Sequence, residues 1–157
     1  MKKRITTLVT LGLIITGIAT YDGIDNRDMT EPENTLWSTN PMKHNNYVKG
    51  QCTNYVFERV RDSGNKIGRS WGDAKYWKVK AQQDGYTVNH HPKVGSILQS
   101  TKGKYGHVAY IERVFDDGTI KVKEMNFYHP FEITTRDISP QALKKYYIIH
   151  PKENKAK

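Results

Sequence analysis

The order of the periodic segments limits this chain to few folds. A helix is predicted after Gly50 by a period of three and four residues, which ends at the stop signal Ser63-Gly64-Asn65; its members are Cys52, Tyr55, Val56, Arg59 and Val60. Ser70-Trp71-Gly72-Asp73 has capping-box-like spacing and predicts the start of a second helix, which ends near Gly85. After Pro92 the helical period disappears and short alternating segments follow.

Five strands are predicted after Pro92, and Asp116-Asp117-Gly118 has the composition of a hairpin turn between two of them. Helices followed by neighbouring strands indicate an α+β fold, with N-terminal helices packed on an antiparallel sheet. The predicted strands are Val94–Gln99, Gly106–Val114, Thr119–Asn126, Ile133–Ile138 and Tyr146–His150.

The N-terminus has the pattern of a signal peptide. Lys2, Lys3 and Arg4 precede an uncharged apolar stretch that continues to Ala19. A membrane-spanning helix needs roughly 20 apolar residues, so this stretch is short for one, although an uncleaved anchor is the alternative. We therefore expect residues 1–19 to be removed, leaving a secreted, cell-wall-associated protein without stable membrane insertion.

The rest of the 157-residue chain divides into a leader and one domain. Residues 20–42 are polar, start acidic and show no apolar period, which predicts a flexible leader. Residues 43–157 are long enough for a single domain, which we expect to be a monomer.

Removal of residues 1–19 would take three basic residues from the formal net charge of +9, and the remaining charge of about +6 favours anionic wall polymers as partners of an exported protein. The sequence has no zinc-ligand spacing, glycine-rich phosphate loop or continuous basic arm, so nucleic acid is not an expected partner. Solubility is the simpler explanation of the charge, and charge alone does not separate the two.

Cys52 is the one cysteine in the sequence. Exported proteins usually pair their cysteines, so a lone thiol is a buried residue, a site of intermolecular pairing or a nucleophile. Its predicted place in the first turn of a helix favours the nucleophile, because free N–H groups and the helix dipole stabilise a thiolate there.

His107 is the preferred partner for Cys52, because it starts a predicted strand while the other five histidines lie in linkers or at strand ends. A structural histidine is the alternative. A hairpin turn centred on Asp117-Gly118 predicts that Ala109 lies opposite Asn126 and Ile111 opposite Glu124, which makes His107 a diagonal neighbour of Asn126.

These residues suggest a nucleophile, a base and an orienting group. Cys52 would attack a carbonyl, His107 would move the proton, and Glu124 or Asn126 would hold the imidazole. The N–H of Cys52 would stabilise an oxyanion, with Gln51 as a weaker candidate. A strand end that simply reaches water is the alternative explanation for the polar pair Glu124 and Asn126.

Five sequence blocks, in the same order, resemble the CHAP domain family (cysteine, histidine-dependent amidohydrolases/peptidases). The similarity covers about residues 45–150 and extends to the secreted staphylococcal antigens, which pair a signal peptide with such a domain. The blocks are Tyr47-Val48-Lys49-Gly50-Gln51-Cys52-Thr53-Asn54-Tyr55-Val56, Trp71-Gly72-Asp73-Ala74-Lys75-Tyr76-Trp77, Pro92-Lys93-Val94-Gly95-Ser96-Ile97, Gly106-His107-Val108-Ala109-Tyr110-Ile111 and Glu124-Met125-Asn126.

The resemblance implies a papain-like fold and hydrolysis of an amide bond in peptidoglycan, either the N-acetylmuramoyl-L-alanine bond or one in the stem peptide or cross-bridge. It matches Cys52 to the family nucleophile, His107 to the base, and Glu124 and Asn126 to the polar pair of the site. The alternative function is a wall-binding surface antigen with the same fold and little catalysis.

Three aromatic residues, Trp71, Trp77 and Tyr105, are weaker candidates for the substrate groove, although core packing is favoured for the two tryptophans. Some members of the family bind calcium through acidic residues upstream of the cysteine. The corresponding residues 44–49 contain no carboxylate, so neither a metal nor another cofactor is expected.

Overall fold

The computed structural model describes residues 40–156, beginning with helix α1 at Cys52–Asp62. The predicted helix is confirmed: Val56, Phe57 and Val60 are buried on one side, and Ser63 caps the C-terminus. The predicted signal peptide and nearly all of the predicted leader lie outside the described residues. Within residues 40–156, no helix has the length and apolar character required to cross a bilayer.

The second helical segment starts later than its sequence predicts. A 3₁₀ turn at Ala74–Tyr76 leads into helix α2 at Trp77–Gln83. The capping-box prediction is wrong, because Asp73 precedes the 3₁₀ turn and its side chain makes no capping bond. The indole Nε1 of Trp77 donates to the Gly72 carbonyl at 3.0 Å, which holds this stretch in a tight turn instead of a regular helix.

Within residues 40–156, six strands form one antiparallel sheet, and two short strands pair separately. In the large sheet the order is β2-β7-β3-β4-β5-β6, and β1 pairs with β8. The predicted α+β class is confirmed, since the two main helices precede this sheet and pack on it. The strands are β1 Asn65–Lys66, β2 Val88–Asn89, β3 Ile97–Ser100, β4 His107–Val114, β5 Ile120–Met125, β6 Ile133–Ile138, β7 Tyr147–Ile149 and β8 Lys152–Glu153, with helix α3 at Pro140–Leu143 before β7.

The predicted register of the β4–β5 hairpin is wrong by two residues. Ile111 pairs with Val122 instead of Glu124. The turn has three loop residues, with Gly118 at φ 81° and its N–H bonded to Phe115 O, and Phe115 N donates to Thr119 O. A β-bulge between Ile111 and Arg113 supplies the second residue of the shift. Because the total shift is even for the residues before the bulge, His107, Ile111 and Glu124 stay on the same face, as predicted.

Two hydrophobic clusters cover the two faces of the sheet. The first joins the helices to β3 and β4 and contains Trp71 and Trp77, which are 3% and 0% exposed. The second lies on the other face of β4 and includes Leu143 of α3. Full burial of a large apolar side chain contributes about 1.5–3 kcal/mol, so these clusters are the main support for the site described below.

The two ends of the described chain meet beside the first cluster. Met42, which the sequence analysis placed at the end of the leader, is fully buried in this cluster. Asn154 donates from Nδ2 to Asn40 Oδ1 at 2.9 Å, and its backbone N–H donates to Gly64 O at 3.1 Å. Residues 40–42 are therefore packed as part of the folded unit, although the sequence analysis assigned them to the leader.

Candidate active site

Cys52 is the first residue of α1 and carries a free, half-buried thiol. Gln51 before it is extended, with φ −100° and ψ 157°, and offers no side-chain cap to the helix. The first N–H groups of a helix have no acceptor within the helix, and the positive end of its dipole lies here. The predicted position of Cys52 in the first turn is thus confirmed, and that position favours a thiolate.

His107 is the first residue of β4, and the glycine before it allows the chain to enter this strand. Gly106 has φ 71°, a conformation that residues with a side chain rarely adopt. A Cβ at this position would lie 2.5 Å from Lys75 N and 2.7 Å from Ser100 O. Gly106 therefore lets β4 begin directly against the 3₁₀ turn, and this close packing fixes where the imidazole starts.

The imidazole of His107 bonds to a carboxylate that is fully buried. His107 Nε2 lies 2.8 Å from Oε2 of Glu124, which is 0% exposed. Arg136 donates to the other side of this carboxylate, from Nε to Oε1 at 2.5 Å and from Nη2 to Oε2 at 3.1 Å. Burial acts to raise the pKa of Glu124, but the hydrogen bonds from His107 and Arg136 outweigh it and lower that pKa.

The pKa of His107 is shifted in the direction that favours imidazolium. Burial acts to lower it, but hydrogen bonds with the Cys52 and Glu124 side chains, together with their charges, raise the pKa to about 9. Since Nε2 is bonded to Glu124, Nδ1 is the nitrogen left for Cys52. The arrangement can stabilise a thiolate–imidazolium pair.

Asn126 lies at the end of β5, but it does not take the predicted place beside His107. Glu124 has that diagonal position, because the observed register is shifted by two residues. Asn126 has φ 62° and donates from Nδ2 to Gly50 O at 2.8 Å and to Gln51 Oε1 at 3.3 Å. Its Oδ1 accepts from Phe131 N. Asn126 thus ties residues 126–131 to the segment that leads into Cys52.

Gln51, the weaker oxyanion candidate, is exposed and has part of its hydrogen-bonding capacity occupied. Its backbone N–H donates to Val48 O at 3.2 Å, and its Oε1 accepts from Asn126. The backbone N–H of Cys52 has no acceptor within α1, so it is the more direct donor to an oxygen held above the sulfur.

An open groove of about 470 Å³ runs past Cys52. Residues 46–48 and 51–53 line one side, and residues 72–74 and 105–106 line the other. Tyr105 is 57% exposed on this wall, whereas Trp71 and Trp77 lie in the core and do not line the groove. Within residues 40–156, no group of three or more His, Cys, Asp or Glu side chains is arranged to hold a metal ion.

Arg136 and Phe127 are the members of this cluster that sequence reasoning missed. The Arg136 guanidinium lies 3.6 Å from the centre of the Phe127 ring, which meets the His107 ring edge-on at 5.4 Å. The sequence signal for Arg136 was its place in β6, because it lies on the same side of that strand as Ile138 and this side shares a face of the sheet with Glu124 in β5. This signal can be interpreted only if the pairing of β5 with β6 is known, and the sequence does not show that pairing.

Comparison with known proteins gives concordant results. A family model described as "CHAP domain" matches residues 42–126. Among curated proteins of Staphylococcus aureus, a probable autolysin, SsaALP, is 50% identical over 69% of this chain and 42% of its own length. The staphylococcal secretory antigen ssaA2 is also 50% identical, over 68% of this chain and 39% of its own length. The chain therefore spans about two-fifths of the length of these relatives.

Among solved structures, an N-acetylmuramoyl-L-alanine amidase from Staphylococcus aureus is similar to this chain with a TM-score of 0.65. The two are 32% identical in sequence, and the match covers 82% of this chain and 37% of the amidase. Together with the helices and the antiparallel sheet, this likeness is consistent with the α+β papain-like fold predicted from the sequence.

Proposed function

This chain belongs to the CHAP domain family, and we propose from this premise that it is a peptidoglycan hydrolase with Cys52 as its nucleophile. The observation that carries the proposal is the set of contacts from Cys52 through His107 to the buried Glu124, with Cys52 lining an open groove. A thiol at a helix N-terminus, an imidazole beside it and a carboxylate behind the imidazole are the parts that nucleophilic acyl transfer needs.

In the proposed reaction, Cys52 Sγ attacks the carbonyl carbon of an amide bond lying in the groove. The C–N bond breaks as His107 gives its proton to the departing nitrogen, which leaves a thioester on the enzyme and a free amine. His107 then accepts a proton from a water molecule that attacks the thioester. The products are a carboxylic acid and the free thiol, and the enzyme returns to its starting state.

Two further groups assist this reaction in the proposal. Glu124 holds the imidazole by its Nε2, so that Nδ1 remains directed to the sulfur and the ring keeps one orientation. The Cys52 N–H stabilises the oxygen that becomes negative during attack, with the Gln51 side chain as a second donor. Asn126 fixes the Gly50–Gln51 segment from which both donors project.

The amide bond between N-acetylmuramic acid and L-alanine is our first choice of substrate. The similarity to a solved N-acetylmuramoyl-L-alanine amidase favours this bond over one in the stem peptide or cross-bridge. Both classes of bond are opened by the same catalytic groups, so the choice depends on contacts in the groove.

Export to the cell wall is part of the proposal. The N-terminal basic and apolar segments have the pattern of a signal peptide, and one group of relatives is named for secretion. The positive net charge of the chain would then favour anionic wall polymers as partners.

A second candidate is a cell-wall-binding antigen with little catalysis, which the name of the secretory antigen relatives favours. Digestion of purified peptidoglycan by the protein and by its Cys52→Ala variant separates the two, with mass spectrometry of the soluble fragments. We expect fragments only from the wild type, with free L-alanine amino groups if the first-choice bond is cut. Binding without release by either protein, under reducing conditions and from several walls, would favour the antigen.

A further inference from the structure

The Arg136 guanidinium is a second positively charged group that contacts the Glu124 carboxylate, in addition to the His107 imidazole. Arg136, in β6, bonds to both carboxylate oxygens, and Oε2 is also the oxygen that bonds to His107. We propose that Arg136 is a positioning residue for the hydrolysis proposed above, on which this inference rests. It orients the Glu124 carboxylate toward His107 and keeps that carboxylate ionised.

The orienting role follows from the geometry of the contact. Arg136 approaches with Nε and Nη2 side by side, and each donates to its own oxygen of Glu124. Such a fork fixes the plane of a carboxylate, whereas a single donor leaves it free to rotate. With the plane fixed, Oε2 stays at 2.8 Å from His107 Nε2 and the imidazole has one preferred orientation.

The charge role follows from burial. The Glu124 side chain is 0% exposed, and a carboxylate without a cation in such a place takes up a proton instead of remaining charged. His107 gives up its proton during the proposed reaction and is then neutral. Arg136 stays charged throughout, because a guanidinium does not lose its proton in proteins. Arg136 therefore supplies the positive charge that balances the Glu124 carboxylate during the part of the cycle in which His107 is neutral.

Arg136 is itself held in place by its surroundings. It pairs across the strands with Val122, which makes it a diagonal neighbour of Glu124 on the same face of the sheet. Phe127 stacks on the guanidinium at 3.6 Å, and the Tyr146 side chain also bonds to it. Because its contacts with Glu124, Phe127 and Tyr146 hold the guanidinium in one position, Arg136 can hold the Glu124 carboxylate in one orientation.

Two substitutions in the full-length chain separate charge from geometry. Arg136→Lys keeps the charge and loses the fork, and Arg136→Met loses both. Arg113→Met is the matched control, because Arg113 lies on exposed β4 surface and stacks on Phe115 at 4.9 Å.

The first measurement is the titration of the His107 ring protons by NMR, which does not require hydrolysis. The charged or titratable groups around this ring are Cys52 from α1, Glu124 from β5 and Arg136 from β6. In Arg136→Met the His107 imidazolium is the one cation left beside Glu124, so the pair should hold its proton to higher pH and the His107 midpoint should rise by roughly half a pH unit or more. The midpoint should stay near the wild-type value in Arg136→Lys and in Arg113→Met.

The second measurement is the rate of fragment release from peptidoglycan. In Arg136→Lys, kcat should fall about 10- to 100-fold with little change in KM, as for other residues that orient a functional histidine. An unchanged midpoint in Arg136→Met, or a kcat within twofold of wild type in Arg136→Lys, would overturn the proposal.

The two measurements also separate this inference from the proposed function. A wild-type protein that releases no fragments would contradict hydrolysis, while the NMR titration would still decide whether Arg136 controls the His107–Glu124 pair. If Arg136→Met does not fold, the lysine variant retains the charge of the site and provides the decision through kcat, together with its expected wild-type midpoint.

Discussion

His107 Nε2 and Glu124 Oε2 are 2.8 Å apart, although 17 positions separate the two residues in the chain. The pair joins the first residue of β4 to the fully buried carboxylate of β5, and burial prevents water from weakening the contact. It leaves Nδ1 as the one ring nitrogen for Cys52, so the geometry of this pair determines which nitrogen takes part in the proposed chemistry.

Replacing Glu124 by glutamine should slow hydrolysis and shift its pH dependence. Loss of the carboxylate charge removes a cause of the raised His107 pKa, so this pKa should fall from about 9 and the alkaline limb of the rate profile should move to lower pH. The rate at neutral pH should drop by about 100-fold or more, since an amide in this place can hold the wrong tautomer. Rates measured from pH 5 to 10 test this, and an alkaline limb at its wild-type position would contradict it.

The His107 ion pairs should make folding stability depend on pH. The pKa of His107 in the folded protein, about 9, is above its ordinary value of 6.5, so the folded state binds this proton more tightly than the unfolded state. The resulting stabilisation, at most about 3 kcal/mol, is complete below about pH 6.5 and is lost as the pH rises through about 9.

Chemical unfolding of wild type and His107→Gln from pH 6 to pH 10 isolates this contribution. The difference in unfolding free energy between the two proteins should shrink with rising pH, while other titrating groups affect both alike. A difference that stays constant over this range would show that His107 does not gain its proton affinity on folding.

Asn126→Asp should impair activity more than stability. The variant keeps an oxygen that can accept from Phe131 N but loses the donor to Gly50 O, and it places a negative charge beside that carbonyl. We expect hydrolysis to fall about 10-fold or more because the segment that carries Gln51 and Cys52 loses its tie. The unfolding free energy should change by no more than about 1–2 kcal/mol.

Asn126→Gly is the matched control for the backbone at this position. Glycine tolerates the φ of 62° and removes the entire side chain, so it should also lose activity. Activity close to wild type in the glycine variant would mean that the Asn126 side chain does not position the nucleophile segment.

Gly106→Ala should destabilise the fold strongly. The new Cβ would lie 2.5 Å from Lys75 N and 2.7 Å from Ser100 O, both backbone atoms that cannot move independently, and φ is 71°. Overpacking and the unfavourable φ together should cost about 2–4 kcal/mol.

Gly103→Ala provides the comparison, because Gly103 has φ 85° but no atom within 4 Å of a built Cβ. It should cost only about 1 kcal/mol, the part due to φ alone. Equal losses for the two variants in a denaturant titration would show that the close approach of β4 to the 3₁₀ turn does not contribute.

Local patterns were sufficient for the parts of the site that depend on one element. The three-and-four spacing after Gly50 predicted that Cys52 lies in the first turn of a helix, and the loss of the helical period after Pro92 predicted that His107 starts a strand. Both outcomes depend on side-chain period and on a neighbouring glycine, which a single sequence shows directly.

Pairing between strands was less accessible. The prediction that Asn126 is the diagonal neighbour of His107 failed because the turn holds three residues instead of two and because a bulge interrupts β4 after Ile111. Either feature alone would have moved Glu124 to the opposite face relative to His107. Arg136 could not be assigned for a related reason, since its contact with Glu124 depends on the β5–β6 register, and residues 126–132 between these strands contain no two-residue hairpin signal that would fix it.

The hydrogen bond between Asn40 and Asn154 has a consequence for how this unit can be rearranged. Since the side chains of these two residues, near the two ends of the described chain, are hydrogen-bonded at 2.9 Å, a short linker could join the ends. New ends could then be opened at Asp116 and Asp117, in the exposed hairpin turn. Such a circular permutant would keep Cys52, His107 and Glu124 in place but move Glu124 ahead of Cys52 and His107 along the chain, so that the histidine and the glutamate no longer belong to one continuous hairpin.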